Sequence, residues 1–206
     1  SREQIQQRLG DMFANPLLLI VVPLLFMGLT FYIVARGVSS GIEKAATYLM
    51  PLFFFLLVGL VIYGAIEGDI GDAVAFLFTP DWSKLTPQVM NSALGQALFS
   101  LSVGVAGLIT YGSYIKEGSG LGPTAGLIAI ADTTVALLAG LMIFPIVFAV
   151  GLDPAAGPTL VFQTLPFAFQ TMPGGALFGF LFFLLIFVAA VTSSISLLEE
   201  PTAYGI

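Results

Sequence analysis

Charge constrains this chain most, because it falls in short clusters separated by long runs that have none. Met12–Ala35, Ala45–Ile66, Leu85–Ile115, Gly118–Ala131 continued by Thr133–Leu152, and Pro154–Leu198 contain no Asp, Glu, Lys or Arg. Each can hold the roughly 20 apolar residues of a membrane-spanning helix. Only 9% of the 206 residues are charged, against about a quarter in soluble domains. The expected fold class is therefore an all-α membrane protein. It should form a single transmembrane unit with spans at about 14–36, 45–66, 91–115, 123–151 and 174–198, and outer loops at about 67–90 and 152–173.

The composition removes several function classes. There is no Cys and no His, so disulfides, thiol nucleophiles, imidazole bases and soft-metal sites are all excluded. The net charge of −6 argues against nucleic acid as a partner, which would need a basic footprint. An intramembrane aspartyl protease needs two carboxylates sharing a proton, and only Asp132 lies well inside a span. A serine protease would lean on a base such as His. The chain is expected not to be an enzyme. It begins at Ser1 and stops at Ile206 just after a span, so it is expected to be a piece of a longer membrane protein.

The stretch Gly95–Thr110, GQALFSLSVGVAGLIT, is apolar enough for lipid yet carries Ser100, Ser102, Gly104 and Gly107 in its middle. Glycine weakens a helix, and serine competes for its backbone bonds. A helix broken there leaves polar groups unpaired, which hydrocarbon tolerates only where they line a cavity or bind something. Asp132 in LIAIADTTVALLAG costs about 2.5–3.5 kcal/mol at the centre of a span. Its partner is either a hard cation such as sodium or a mate on another helix, unless the carboxyl is protonated.

In FVAAVTSSISLLEEP, Ala189, Thr192 and Ser193 fall at i, i+3 and i+4, on one helix face. Two hydroxyls and a carbonyl could hold a dehydrated cation there, or small residues could serve close helix packing. Gly41 and Pro51 bracket the start of the second span. Either they allow its first turns to unwind, or Gly41 ends a loop and Pro51 kinks a helix. Gln96 and Phe99, three apart before the break, read as a polar latch and an aromatic lid, or as ordinary packing. Gly151–Gly175 contains Pro154, Pro158, Pro166 and Pro173. It is too interrupted to span and reads as a re-entrant or interfacial hairpin, the alternative being a surface loop.

Lys and Arg favour cytoplasmic loops, but Arg36, Lys44 and Lys116 on one side balance Arg2, Arg8 and Lys84 on the other.

Together, ARGVSSGIEKA, FLFTPDWSKL followed by GQALFSLSVG, TLVFQTLPFAF and VTSSISLLEEP resemble the neurotransmitter:sodium symporter family, in its bacterial amino-acid transporter branch. The resemblance runs along nearly all the chain. It implies part of a transporter fold built from inverted five-helix repeats with one discontinuous helix, covering about the fourth to eighth spans, with the Arg36–Lys44 loop inside. It implies an integral, multi-pass protein of the plasma membrane, surrounded by lipid and by its own remaining spans. The implied activity is sodium-coupled symport of a small amino acid by alternating access.

The resemblance also assigns roles residue by residue. Ser100 and Asp132 would bind a first sodium, and Ala189, Thr192 and Ser193 a second. Phe99, Ser102, Val105, Ser193 and Leu197 would line the substrate pocket. Gln96 and Phe99 would gate the outer side, and Gly41 and Pro51 the inner side. The family commonly has Asn at the Asp132 position. Chloride-dependent relatives carry Ser where Ala136 stands, so no chloride requirement is expected. Phe99, Val105 and Leu197 make an apolar pocket, which favours a neutral hydrophobic L-amino acid. A cation channel and a structural membrane subunit are the competing readings.

Overall fold

The computed structural model describes residues 2–115, 120–154, 157 and 160–205. Lys116 and Pro158, used above for sidedness and for the hairpin, lie outside the described residues. Among the described residues there is no strand. The helices are α1 (Arg2–Ala14), α2 (Pro16–Val34), α3 (Glu43–Glu67), α4 (Ile70–Phe78), α5 (Pro87–Ser100), α6 (Gly107–Ser113), α7 (Leu121–Ala149), α8 (Leu165–Thr171) and α9 (Gly175–Gly205). Single π-helical turns at Val38–Ile42 and Leu160–Thr164 lead into α3 and α8.

Local chemistry sets these boundaries. Asn15 separates α1 from α2, and its side chain accepts from the N–H groups of Leu17 and Leu18 at 3.1 and 3.3 Å, with Pro16 in the first turn. That is the expected start of a helix. Asp69 caps α4 through the Asp72 N–H at 3.0 Å. Thr86 caps α5 through the Val89 N–H at 3.3 Å, again ahead of a proline. In the loop between α4 and α5, the Ser83 hydroxyl donates to Asp81, with Lys84 3.2 Å away. These contacts, the Ser83 bond foremost, hold the Asp81 carboxyl below the usual carboxylate range.

Four helical stretches are long and apolar enough to cross a membrane: Pro16–Val34, Val38–Glu67, Leu121–Ala149 and Gly175–Gly205. The fifth apolar stretch is divided between α5 and α6. Leu25, Phe31, Phe55 and Ile66 are all exposed, as expected of a surface that meets lipid rather than water. Two helices depart from the expected limits. α1 precedes the first apolar run, and α9 continues past 198 through Pro201 to Gly205.

The core joins α3, α7, α8 and α9. Leu57, Leu60, Ile146, Val147, Leu165, Ala168 and Phe182 are all but inaccessible. α3 and α7 approach closely at Gly64 and Gly68. A Cβ on Gly64 would lie 3.1 Å from the Met142 carbonyl oxygen, and one on Gly68 2.6 Å from the Pro145 carbonyl carbon. The Asp69 N–H donates to the Pro145 carbonyl at 2.9 Å. Small residues at such crossings let backbones touch, which is how helices associate without a hydrophobic driving force. A second cluster, Val34, Ile42, Val191 and Ile195, joins α2 and the start of α3 to α9.

The 160–174 stretch packs onto the bundle, with Leu165, Ala168 and Phe169 buried. The Tyr63 hydroxyl on α3 donates to the Pro173 carbonyl at 2.9 Å. The Tyr63 ring stacks on Phe178 at 3.7 Å between centroids.

Candidate functional site

The discontinuity falls where serine and glycine crowd an otherwise apolar stretch. α5 stops at Ser100 and α6 starts at Gly107. Between them Ser102 has φ 54° and Gly104 φ 90°. Glycine takes such a conformation freely, whereas a serine there costs about 1–2 kcal/mol. Ser102 is the one non-glycine residue with positive φ among the described residues. Backbone strain of this kind gathers at binding sites, where the surrounding structure holds it. Among the described residues, the N–H groups of Gly104, Val105 and Ala106 find no backbone acceptor. The carbonyls of Leu101 through Val105 receive no backbone N–H. The break thus presents free donors and free acceptors side by side.

α7 delivers Asp132 to this break. The Ser100 hydroxyl donates to Asp132 Oδ1 at 2.5 Å, a short bond of the kind a hydroxyl makes to a carboxylate. Ser100, Ser102 and Asp132 line one cavity of about 190 Å³. α9 closes another side of it with Ser196 and Glu200, and α6 contributes Tyr111. The Tyr111 hydroxyl donates to Ser196 Oγ at 3.2 Å.

The remaining expected residues fall into separate groups. On α9 the Thr192 hydroxyl donates to the Ala189 carbonyl at 2.9 Å, while Ser193 is exposed. These three do not border the Ser100–Asp132 cavity. Phe99, Val105 and Leu197 are also outside it, with 77%, 45% and 60% of their surface exposed. Gln96 is exposed one turn before Phe99. Gly41 is buried in the π-helical turn, where a Cβ would sit 2.0 Å from the Ile33 carbonyl oxygen. Pro51 is exposed within α3. The Gly41–Pro51 segment is helical throughout here, so any unwinding belongs to another state. Ala136, one turn beyond Asp132 on α7, is exposed.

Sequence reasoning did not single out Glu199 and Glu200, which follow the end expected for the last span. Both are buried on α9, 5% and 9% exposed. The Tyr114 hydroxyl donates to Glu199 Oε1 at 2.6 Å. The available signal was spacing, because Ser196 and Glu200 repeat the Thr192 position at intervals of four residues.

An all-helical membrane protein interrupted at one span, with polar side chains converging on the interruption, has the architecture of secondary transporters. The sequence model described as "Sodium:neurotransmitter symporter family" matches residues 3–203, and the chain belongs to that family. It is 42% identical over 185 residues to an uncharacterised sodium-dependent transporter of Haemophilus influenzae, covering 90% of this chain and 40% of the relative. It is 41% identical over 198 residues to one of Bacillus subtilis, covering 94% and 44%. A sodium-dependent nutrient amino acid transporter of Drosophila ananassae shares 32% identity over 182 residues, covering 81% of this chain and 28% of the relative. Among solved structures, MhsT in complex with L-phenylalanine superposes with a TM-score of 0.84 and 46% identity. That match covers 97% of this chain and 46% of MhsT. The chain spans less than half the length of these relatives. The family is one of transporters and not of enzymes.

Proposed function

We propose that this chain is the central part of a sodium-coupled symporter for a neutral, hydrophobic L-amino acid, working by alternating access in the plasma membrane with the Arg36–Lys44 loop inside. The observation that carries the reading is the short bond from Ser100, at the edge of the helix break, to Asp132 on α7. It gathers a carboxylate and a hydroxyl beside unpaired backbone groups, a donor set of hard oxygens that suits sodium. Asp132 and Ser100 bind the first sodium. The Ala189 carbonyl and the Thr192 and Ser193 hydroxyls bind the second. Phe99, Ser102, Val105, Ser193 and Leu197 face the amino acid, and Gln96 and Phe99 close over it. Gly41 and Pro51 permit inner opening. Chloride has no role, because Ala136 offers it no hydroxyl.

Family membership and the sodium-dependent names of the relatives support sodium coupling, and the L-phenylalanine held by MhsT supports an amino-acid substrate. Two sodium ions entering across 100 mV would supply about 4.6 kcal/mol, enough to concentrate a zwitterion on the order of a thousandfold.

The test is uptake by the full-length protein in liposomes, with and without an inward sodium gradient, across a panel of amino acids. Saturable, sodium-dependent, chloride-independent accumulation of hydrophobic amino acids is the expected result. Ohmic current without accumulation would replace the reading with a channel. Val105 sets the size of the pocket in this proposal. Val105→Phe is expected to lower uptake of tryptophan about tenfold, as overpacking by a large side chain would, while alanine uptake changes less than about twofold. Equal losses for both substrates would remove Val105 from the pocket.

A further inference from the structure

The inner half of the interrupted span, α6, is 7 residues long, and the break parts it from α5. A helix that short has little stability of its own, so what it grips sets its position. It grips α9. Tyr111 on α6 and Tyr114 at its end lie three residues apart, and so do their partners. The Tyr111 hydroxyl donates to Ser196 Oγ at 3.2 Å and the Tyr114 hydroxyl to Glu199 Oε1 at 2.6 Å. The two rings meet edge to face, with 6.1 Å between centroids.

Behind Ser196 the hydrogen bonds continue along α9. The Ser196 hydroxyl donates to the Thr192 carbonyl at 3.3 Å, and the Thr192 hydroxyl donates to the Ala189 carbonyl at 2.9 Å. A serine hydroxyl has one proton, and Ser196 directs it to Thr192, so towards Tyr111 it acts as an acceptor. The Tyr111–Ser196–Thr192 chain therefore polarises in one direction, and each bond strengthens the next. Hydroxyls that donate back along a helix loosen and bend it, which makes 189–196 the adjustable turn of α9. Ala189 and Thr192 supply two of the three oxygens assigned above to the second sodium. On the other side, Tyr111 and Ser196 wall the cavity of Ser100, Ser102 and Asp132. Their bond joins two groups of ligands that do not share a cavity.

We propose that Tyr111 and Ser196 are positioning residues that couple the second sodium site to the amino-acid site. A cation that turns the Ala189 carbonyl and the Thr192 hydroxyl towards itself reshapes the 189–196 turn. The Tyr111–Ser196 bond passes that change to α6 and to the break beside it. The inference rests on the proposed sodium coupling and assigns its transmission to two residues outside both sets of expected sodium ligands.

The experiment uses the full-length transporter in detergent. Sodium half-saturation is read with radioactive sodium, alone and with a saturating hydrophobic L-amino acid, the one taken up best in the panel above. The ratio of the two values is the coupling factor between the ligands. It is measured in wild type, Tyr111→Phe, Ser196→Ala, Ser196→Thr and the variant that combines Tyr111→Phe with Ser196→Ala. Tyr111→Phe removes only a hydroxyl, and if it fails to fold, Ser196→Ala cuts the link from the other end. Each deletion is expected to lower the factor about fivefold, which is about 1 kcal/mol, the size of one hydrogen bond. The double variant should lose no more than the larger single loss, because both changes act through one bond. Ser196→Thr keeps the hydroxyl and should keep most of the coupling. A lowered Tm with wild-type coupling in both deletions would make the bond a brace and overturn the proposal. So would fully additive losses in the double variant. If wild type shows no coupling between sodium and amino acid, this proposal and the transport reading both fall. If wild type couples them and both deletions match it, only the Tyr111–Ser196 link falls.

Discussion

Asp132→Ala is expected to abolish sodium-dependent amino-acid binding, with sodium half-saturation raised on the order of a hundredfold or more. Removing one member of a desolvated charge pair commonly costs about 2–5 kcal/mol, and each 1.4 kcal/mol is about tenfold in affinity. Asp132 also accepts the Ser100 hydroxyl at 2.5 Å. The Ala variant therefore loses the charge and also the anchor that ties α7 to the end of α5. Asp132→Asn separates the two contributions. It keeps an oxygen acceptor in the same place and removes only the charge, so its loss should be smaller, about tenfold. Sodium titrations of amino-acid binding to the purified full-length protein measure both. If the Ala variant binds with wild-type sodium dependence, Asp132 is no sodium ligand and the first site must be sought elsewhere.

What could be read in advance followed the range over which each signal acts. The apolar runs and the break are local properties. Uncharged sequence around Leu25, Leu57 and Leu185 reports its own surroundings, and Gly104 with two nearby serines reports a helix that cannot continue. Asp132 stood out because charge is rare inside apolar sequence. Its partner Ser100, 32 residues away, was reachable only through the family resemblance. Glu199 and Glu200 went unrecognised because acids after an apolar run ordinarily mark the end of a span. They are buried because α6 returns from far along the chain to cover them, with the Tyr114 hydroxyl and the bare backbone of Gly107. α1 was missed because REQIQQRLGDMFA is polar, and its helix packs against the α8 hairpin, a contact that no local pattern announces.

The second large effect concerns folding. Gly175→Ala is expected to destabilise the packing of α8 on α9 more than any other single methyl addition at the glycines of the described residues. A Cβ there would lie 1.5 Å from the Phe169 carbonyl oxygen and 2.5 Å from its carbonyl carbon. No rotamer can relieve this, because the obstructing atoms are backbone and the methyl has no freedom. Gly107→Ala is the contrast, since its clash is with the end of a flexible Glu200 side chain. To admit the methyl, α8 must draw away from α9. That movement strips packing from Leu165, Ala168 and Phe169, all buried in the core. It also strains the Tyr63–Pro173 bond and the Tyr63–Phe178 stack that fasten the hairpin to α3. Overpacking typically costs about 1–3 kcal/mol, and a clash with backbone belongs at or above the top of that range. In the full-length protein, more than twice as long as this chain, that corresponds to a fall of about 5 °C in Tm. Thermal unfolding of the full-length protein in detergent reads it directly. Tyr63→Phe, which removes only the hydroxyl, should lower Tm by about a third as much, near the 1 kcal/mol of one hydrogen bond. A Gly175→Ala protein as stable as wild type would mean that the close approach of α8 and α9 at this point is not the resting arrangement of the hairpin.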